Sequence, residues 1–117
     1  MSDIFRDTFL GFIRVHLLWH ACRARIYGTE MIEELRHHGY EVSPGTLYPI
    51  LHAMQEAGLL DAESEVEGGR VRKYYRATAE GERVLLGLQE RIRELSREVL
   101  RDVPRAVVLG RGGDPVA

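Results

Sequence analysis

At Gly58 the hydrophobic period of this chain changes from helical to extended, and after Thr78 it changes back. Before the switch, Leu47, Ile50, Leu51 and Met54 recur at spacings of three and four, the stripe of an amphipathic helix. Beyond it, Leu59, Leu60 and the alternating residues to Val66 read as a strand. Glu67-Gly68-Gly69-Arg70 reads as a turn and Val71 to Thr78 as the returning strand. Leu85, Leu88, Ile92, Leu95 and Val99 then step by three, four, three and four, a heptad seam narrower than the face of a helix packed on one side. The chain is therefore predicted to be mainly α-helical with one β-hairpin wing, set directly after a helix-turn-helix and before a long final helix.

Two helices are predicted upstream. Residues 4 to 25 are rich in apolar side chains on most sides of a helical projection, with Phe9, Phe12, Ile13 and Leu17 on adjacent rows and Leu10, Leu18 and Trp19 on another. Such a helix must be buried on most sides, which in a chain of 117 residues points to a second subunit as well as to its own core. Gly28 or Thr29 opens the next helix, Met31, Ile32 and Leu35 form its inward row, and Gly39 ends it. His37 and His38 in its last turn are read as favourable charges or hydrogen-bonding groups at a helix C-terminus.

With 44% apolar residues the chain suits one domain, and its formal charge of −2 argues against a protein that coats nucleic acid non-specifically. One cysteine, Cys22, excludes an intrachain disulfide framework and fits a reducing cytosol. The apolar run from Phe9 to Trp19 is broken by Arg14 and His16, too short and too polar to span a bilayer, and no signal-peptide pattern precedes it. A cytoplasmic location is expected.

Residues 43 to 51, SPGTLYPIL, pose a problem of register. Ser43 suits an N-cap and Pro44 the first helical position, where no amide is needed. Pro49, however, removes the amide that would bond the Gly45 carbonyl, loosening the first turns. A helix start with free backbone polarity suits a surface that something else approaches. Thr46, Tyr48, His52 and Gln55 are its outward positions. On the second hairpin arm Arg70, Arg72, Lys73 and Arg76 are interleaved with Tyr74 and Tyr75. The acids Asp61, Glu63, Glu65 and Glu67 of the first arm can pair with those bases across the ladder. Arg70 and Arg72 lie beside the glycine tip, where partners run out, and are expected to extend outward.

GYEVSPGTLYPILHAMQEAGLL followed by EGGRVRKYYRATAEG resembles the PadR family of bacterial transcription regulators, over about residues 10 to 100. The resemblance implies a winged helix-turn-helix whose third helix docks in the major groove of DNA while the wing touches the flanking backbone or minor groove. By that resemblance residues 43 to 49 lead the recognition helix. The expected DNA contacts are Ser43, Gly45, Thr46, Tyr48, Pro49 and His52 from the helix, with Arg70, Arg72 and Lys73 from the wing. Many members carry a Gly-Tyr pair early in the second helix; here Gly28 is followed by Thr29, and Tyr27 stands on its other side. One C-terminal helix places the chain with the compact branch.

The expected organisation is a DNA-binding unit over residues 1–78, a dimerisation helix over 79–103 and a flexible tail over 104–117. Phe9 and Ile13, with Leu85, Leu88, Ile92, Leu95 and Val99, are the candidate dimer contacts. Trp19 is a candidate wall of a small-molecule effector pocket, and His16 and His20, four apart on one helix, are candidate metal ligands, against the simpler reading of hydrogen-bonded histidines at a packed interface. An enzyme is not expected, and no cofactor, since the glycine pair sits at a hairpin tip rather than between strand and helix and Cys22 lacks the setting of an activated nucleophile. The features together predict a homodimeric repressor that binds a palindromic operator on double-stranded DNA and is released by a small-molecule or other signal. The alternatives are a metal-responsive regulator or a winged helix that binds proteins.

Overall fold

The computed structural model describes residues 3–101. Its elements are α1 (Ile4–Arg23), α2 (Gly28–His37), α3 (Pro44–Glu56), β1 (Leu60–Glu67), β2 (Arg70–Ala77) and α4 (Ala79–Val99). This is the expected helical fold with a two-stranded antiparallel wing. The tail expected over 104–117 lies outside the described residues.

Each helix starts and stops for local reasons. The Asp3 carboxylate accepts from the Phe5 and Arg6 amides at 3.1 and 3.2 Å and opens α1. Helices α2 and α3 end in the same way. Gly39 and Gly58 take φ of +87° and +81°, and the amides of Tyr40 and Leu59 reach back to the Leu35 and Met54 carbonyls at 2.9 and 3.0 Å. Those are Schellman motifs, in which a glycine free to adopt positive φ lets the chain reverse while its last carbonyls stay bonded. Ser43 occupies the N-cap position of α3, but its hydroxyl does not cap. It donates to Thr46 Oγ1 at 3.4 Å, while the Thr46 and Leu47 amides bond the Ser43 carbonyl.

The hairpin pairs Leu60 with Ala77 through Glu67 with Arg70, so the turn is the two residues Gly68-Gly69, with φ of +57° and +80°. Positive φ at both positions is the mirror-image turn whose twist matches that of the strands. Glu67 and Arg70, expected in the turn, are strand residues. At the base of the wing, Ile26 exchanges two backbone hydrogen bonds of 2.8 Å with Tyr75, adding one rung from the α1–α2 connection. The Thr78 hydroxyl joins the wing to α4 and α3 at once, donating to the Gly58 carbonyl at 2.6 Å and accepting from the Gly81 amide at 3.0 Å.

These junctions enclose a core of Ile13, Leu17 and Leu18 from α1, Leu35 from α2, Leu47 and Leu51 from α3, Leu60 and Tyr75 from the wing and Leu85 from α4. No polar or charged residue is buried among the described residues. Helix α1 buries one face only; Ile4, Phe5, Phe12 and Trp19 remain exposed. The heptad seam of α4 divides. Leu85 packs into the core and Leu88 against it, while Ile92, Leu95 and Val99 stay 41%, 56% and 61% exposed as the helix runs past the body of the protein.

Two glycines of α4 test this packing. A Cβ on Gly81 would collide with the Leu59 carbonyl, whereas one on Gly87 meets nothing. Gly81→Ala should lower stability by about 1–3 kcal/mol through overpacking against backbone. Gly87→Ala should raise it by roughly 0.5–1 kcal/mol through helix propensity. Urea unfolding of both variants checks the opposite signs.

Candidate nucleic-acid interface

The start of α3, the start of α2 and the wing together line a groove of about 330 Å³. Tyr48 forms one side, 41% exposed, its ring laid directly over Gly28 so closely that any Cβ there would overlap it. Gly28 is thus the residue that allows the tyrosine to lie flat against α2, a requirement that nothing near Tyr48 in the sequence announces. Pro44 at the first helical position and Pro49 one turn on leave this end of α3 short of amide donors to its own carbonyls. Of the expected helix contacts, Ser43, Gly45, Tyr48, Pro49 and His52 are exposed and Thr46 is half-buried. His52 Nε2 stands 3.8 Å from Glu56 on the next turn.

Arg70, Val71, Arg72 and Lys73 form the opposite side of the groove. The hairpin acids do not pair with these bases in the simple cross-ladder pattern. Glu63 and Glu65 turn to Arg25, from the α1–α2 connection: Arg25 Nη1 lies 3.2 Å from Glu63 Oε2, and Arg25 forms a two-pronged contact with Glu65. That contact holds the Glu65 carboxyl below the usual carboxylate range. Arg70 and Lys73 are left exposed, with no ion pair to an acid among the described residues.

Arg72, expected to extend outward, instead lies half-buried over the Tyr27 ring at 4.1 Å from its centroid, with Nη1 3.6 Å from Glu67 Oε1. At the tip, Val66 and Val71 face each other across the ladder and are both 73% exposed, an apolar pair that charge patterning had overshadowed.

On another side of the molecule α1, α2 and α4 bound a pocket of about 580 Å³. Trp19 forms an apolar wall with Val15 and Leu85, with Arg23 4.6 Å over its ring and His20 edge-on. The His16 ring packs 5.1 Å from the rings of both His38 and Tyr40. Glu34 stands 3.2 Å from His38 Nε2 and 3.7 Å from His20 Nε2. His38, read from sequence as a helix-end charge, is therefore part of a histidine cluster built by two helices.

Among the described residues no three His, Cys, Asp or Glu side chains are placed to take a metal ion; His20 stands near Glu34, and the His16 ring packs against aromatic rings. Two expected dimer contacts are reassigned: Ile13 is wholly inside the chain's own core and Leu85 nearly so. Phe9 is partly buried against Tyr40.

The chain matches the transcriptional regulator PadR-like family over residues 17–86. It is 47% identical over 88 residues to transcriptional regulator Rv3488 of Mycobacterium tuberculosis, spanning 75% of this chain and 82% of that protein. Among solved structures it is similar to a PadR family transcriptional regulator from Eggerthella lenta, at 32% identity and a TM-score of 0.73, covering 84% of this chain and 87% of that one. A PadR-like transcription factor from Bacteroides fragilis superimposes with the same TM-score at 27% identity, covering 84% and 96%.

The histidine cluster makes stability depend on pH with a definite sign. Burial first, then the neighbouring His38 and His20, lowers the His16 pKa, with Glu34 opposing. The unfolded chain, whose histidines titrate near pH ~6.5, then binds the extra proton first. The stability from neutral His16 is present above that value and is lost as pH falls through the lower folded value. The urea midpoint should drop between pH 7.5 and 5.5, and His16→Gln should shrink that drop; an unchanged drop would assign the effect elsewhere.

Proposed function

Because the chain belongs to the PadR-like family of transcriptional regulators, we propose that it acts in the cytoplasm as a homodimeric repressor that binds a palindromic operator and is released by a small-molecule signal. Its family consists of regulators of transcription rather than enzymes, which implies DNA binding. Among the described residues no helix is long and apolar enough to cross a membrane.

The observation that carries the reading is that Tyr48 and the wing cations Arg70 and Lys73 line one groove. The two sides of that groove suit different parts of a duplex. A short helix end bearing Thr46 and Tyr48 suits base edges and thymine methyls in the major groove, and long cations suit phosphates or a narrow minor groove. The net charge of −2 is no obstacle, since Glu63 and Glu65 are bound by Arg25, which leaves Arg70 and Lys73 without an acid partner among the described residues.

Dimerisation is supported by the apolar surface left over by the core. Phe5 and Phe12 of α1 and Ile92, Leu95 and Val99 of α4 are exposed at helical spacing, a surface suited to a second copy. Two copies related by a twofold axis would present two recognition helices to two half-sites. The pocket beside Trp19 touches both α1 and α4. A planar small molecule bound there would therefore bear on both the subunit contact and α2, the helix that α3 packs on.

Titrating operator and random duplexes at several salt concentrations tests the DNA assignment. With roughly three to five phosphate contacts per subunit, the log-log salt slope should be about −5 to −9. Arg70→Ala should weaken both duplexes alike and lower the slope by about two. Tyr48→Ala should narrow the gap between operator and random DNA by roughly 1–3 kcal/mol per altered base contact. Gly28→Ala, which pushes the Tyr48 ring off α2, should act in the same direction. A protein with no salt-dependent shift of any duplex would instead be a winged helix that binds proteins.

Ile92→Glu examines the dimer. A charge from each subunit in an apolar contact costs on the order of several kcal/mol when unpaired. Sedimentation should show monomer, with operator binding impaired; a variant that stays dimeric would place the contact elsewhere.

A further inference from the structure

The wing is tied to the helices at its base, where Ile26 pairs with Tyr75, yet the residues that would meet DNA lie beyond that point, toward Gly68-Gly69. A hairpin held only at its base can swing. Between base and tip, side chains from three parts of the chain close a ring. Arg25 lies 3.8 Å over the Tyr74 ring, Tyr74 meets Tyr27 edge-to-face at 5.5 Å, and Tyr27 carries Arg72 at 4.1 Å. Glu67 completes the ring, accepting from the Tyr74 hydroxyl at 2.6 Å and standing 3.6 Å from Arg72. Arg25 also grips Glu63 and Glu65 on the other strand. Tyr27 is the N-cap residue of α2, and its neighbour Gly28 is the floor on which Tyr48 lies. The same two-residue step therefore holds the wing on one side and the recognition tyrosine on the other.

Resting on the DNA-binding reading above, we infer that Arg25, Tyr27 and Arg72 are positioning residues that set the angle of the wing to α3, and that Arg72 itself makes no phosphate contact. The cations of the wing that reach DNA are then Arg70 and Lys73. The guanidinium plane matters here as much as its charge. A stacked, two-sided contact between an aromatic face and a carboxylate suits a flat delocalised cation better than a compact ammonium. Lysine, by contrast, serves well as a point charge against phosphate.

The test uses the full chain and an operator duplex, with affinity measured across salt concentrations for the wild type and for Arg70→Ala, Arg72→Ala, Arg72→Lys, Tyr27→Phe and Tyr27→Ser, together with the Arg70→Ala/Arg72→Ala double variant. If Arg72 positions the wing, Arg72→Lys binds as weakly as Arg72→Ala despite keeping its charge. Tyr27→Phe, which retains the ring face, stays near wild type, and Tyr27→Ser, whose new residue is a good N-cap, copies Arg72→Ala. Losing the wing removes the Arg70 and Lys73 contacts from both subunits, so Arg72→Ala lowers the salt slope by about three to four units. Adding Arg70→Ala to Arg72→Ala then changes affinity by less than about twofold, because the two act as one unit.

The inference is overturned if Arg72→Lys restores wild-type affinity, or if Arg72→Ala lowers the slope by only about two and its effect multiplies with that of Arg70→Ala, the behaviour of an independent phosphate contact. Unchanged urea midpoints of Arg72→Lys and Tyr27→Phe show that the fold is intact. A wild type that binds DNA while the Arg72 variants behave independently sinks the positioning role alone. A wild type that binds no duplex sinks the function reading and this inference together.

Discussion

Two backbone hydrogen bonds of 2.8 Å between Ile26 and Tyr75 hold the architecture together, because they fix where the wing leaves the helical body. Both residues are buried, so the rung sits in the core and water does not compete for it. It places β2 beside the start of α2, and the Thr78 hydroxyl then ties the end of the same strand to both Gly58 and Gly81. A two-stranded hairpin is marginal in water by itself. Here it is one wall of a core shared with four helices, which is why its outer half can project while its base stays fixed.

That placement also sorts the charges. A chain with slightly more acids than bases presents a basic surface only where its charges are unevenly placed or its acids are already bound. Arg25 does this by binding Glu63 and Glu65, and Glu67 is held by Tyr74 and Arg72, so these three acids carry partners of their own on the hairpin face they share with Arg70. Arg70 and Lys73 remain, next to Tyr48. Local field rather than net charge is what a polyanion meets at contact distance, since charges more than a Debye length away are screened.

The opposite side of the molecule has a different character. There α1 and α4 leave apolar side chains exposed, and between them and α2 lies the pocket walled by Trp19 and the histidine cluster. Helix α2 touches both regions, with Glu34 and His38 at its end toward the pocket and Gly28 under Tyr48 at its start. The cluster and the groove therefore lie at two ends of one helix.

The sequence by itself determined the order of elements, the helix-ending glycines and the glycine-glycine tip, and the resemblance over residues 10 to 100 was legible in its motifs. These features rest on preferences of neighbouring residues: positive φ at Gly39, Gly58, Gly68 and Gly69, and apolar spacing in α3. What only the tertiary structure decided was which side chains meet across long stretches of chain. Arg25 reaches acids some forty residues away, Tyr48 needs the missing Cβ of Gly28, His16 and His20 meet His38 and Glu34 from the end of another helix, and Ile13 and Leu85 turn into the core rather than toward a partner. Arg72 shows the difference most sharply: its spacing from the turn predicted an outward cation, and a tyrosine from a different element drew it back. Periodicity records which face of an element is apolar, but the partner that covers that face is set by how elements pack, and packing is a property of the whole chain.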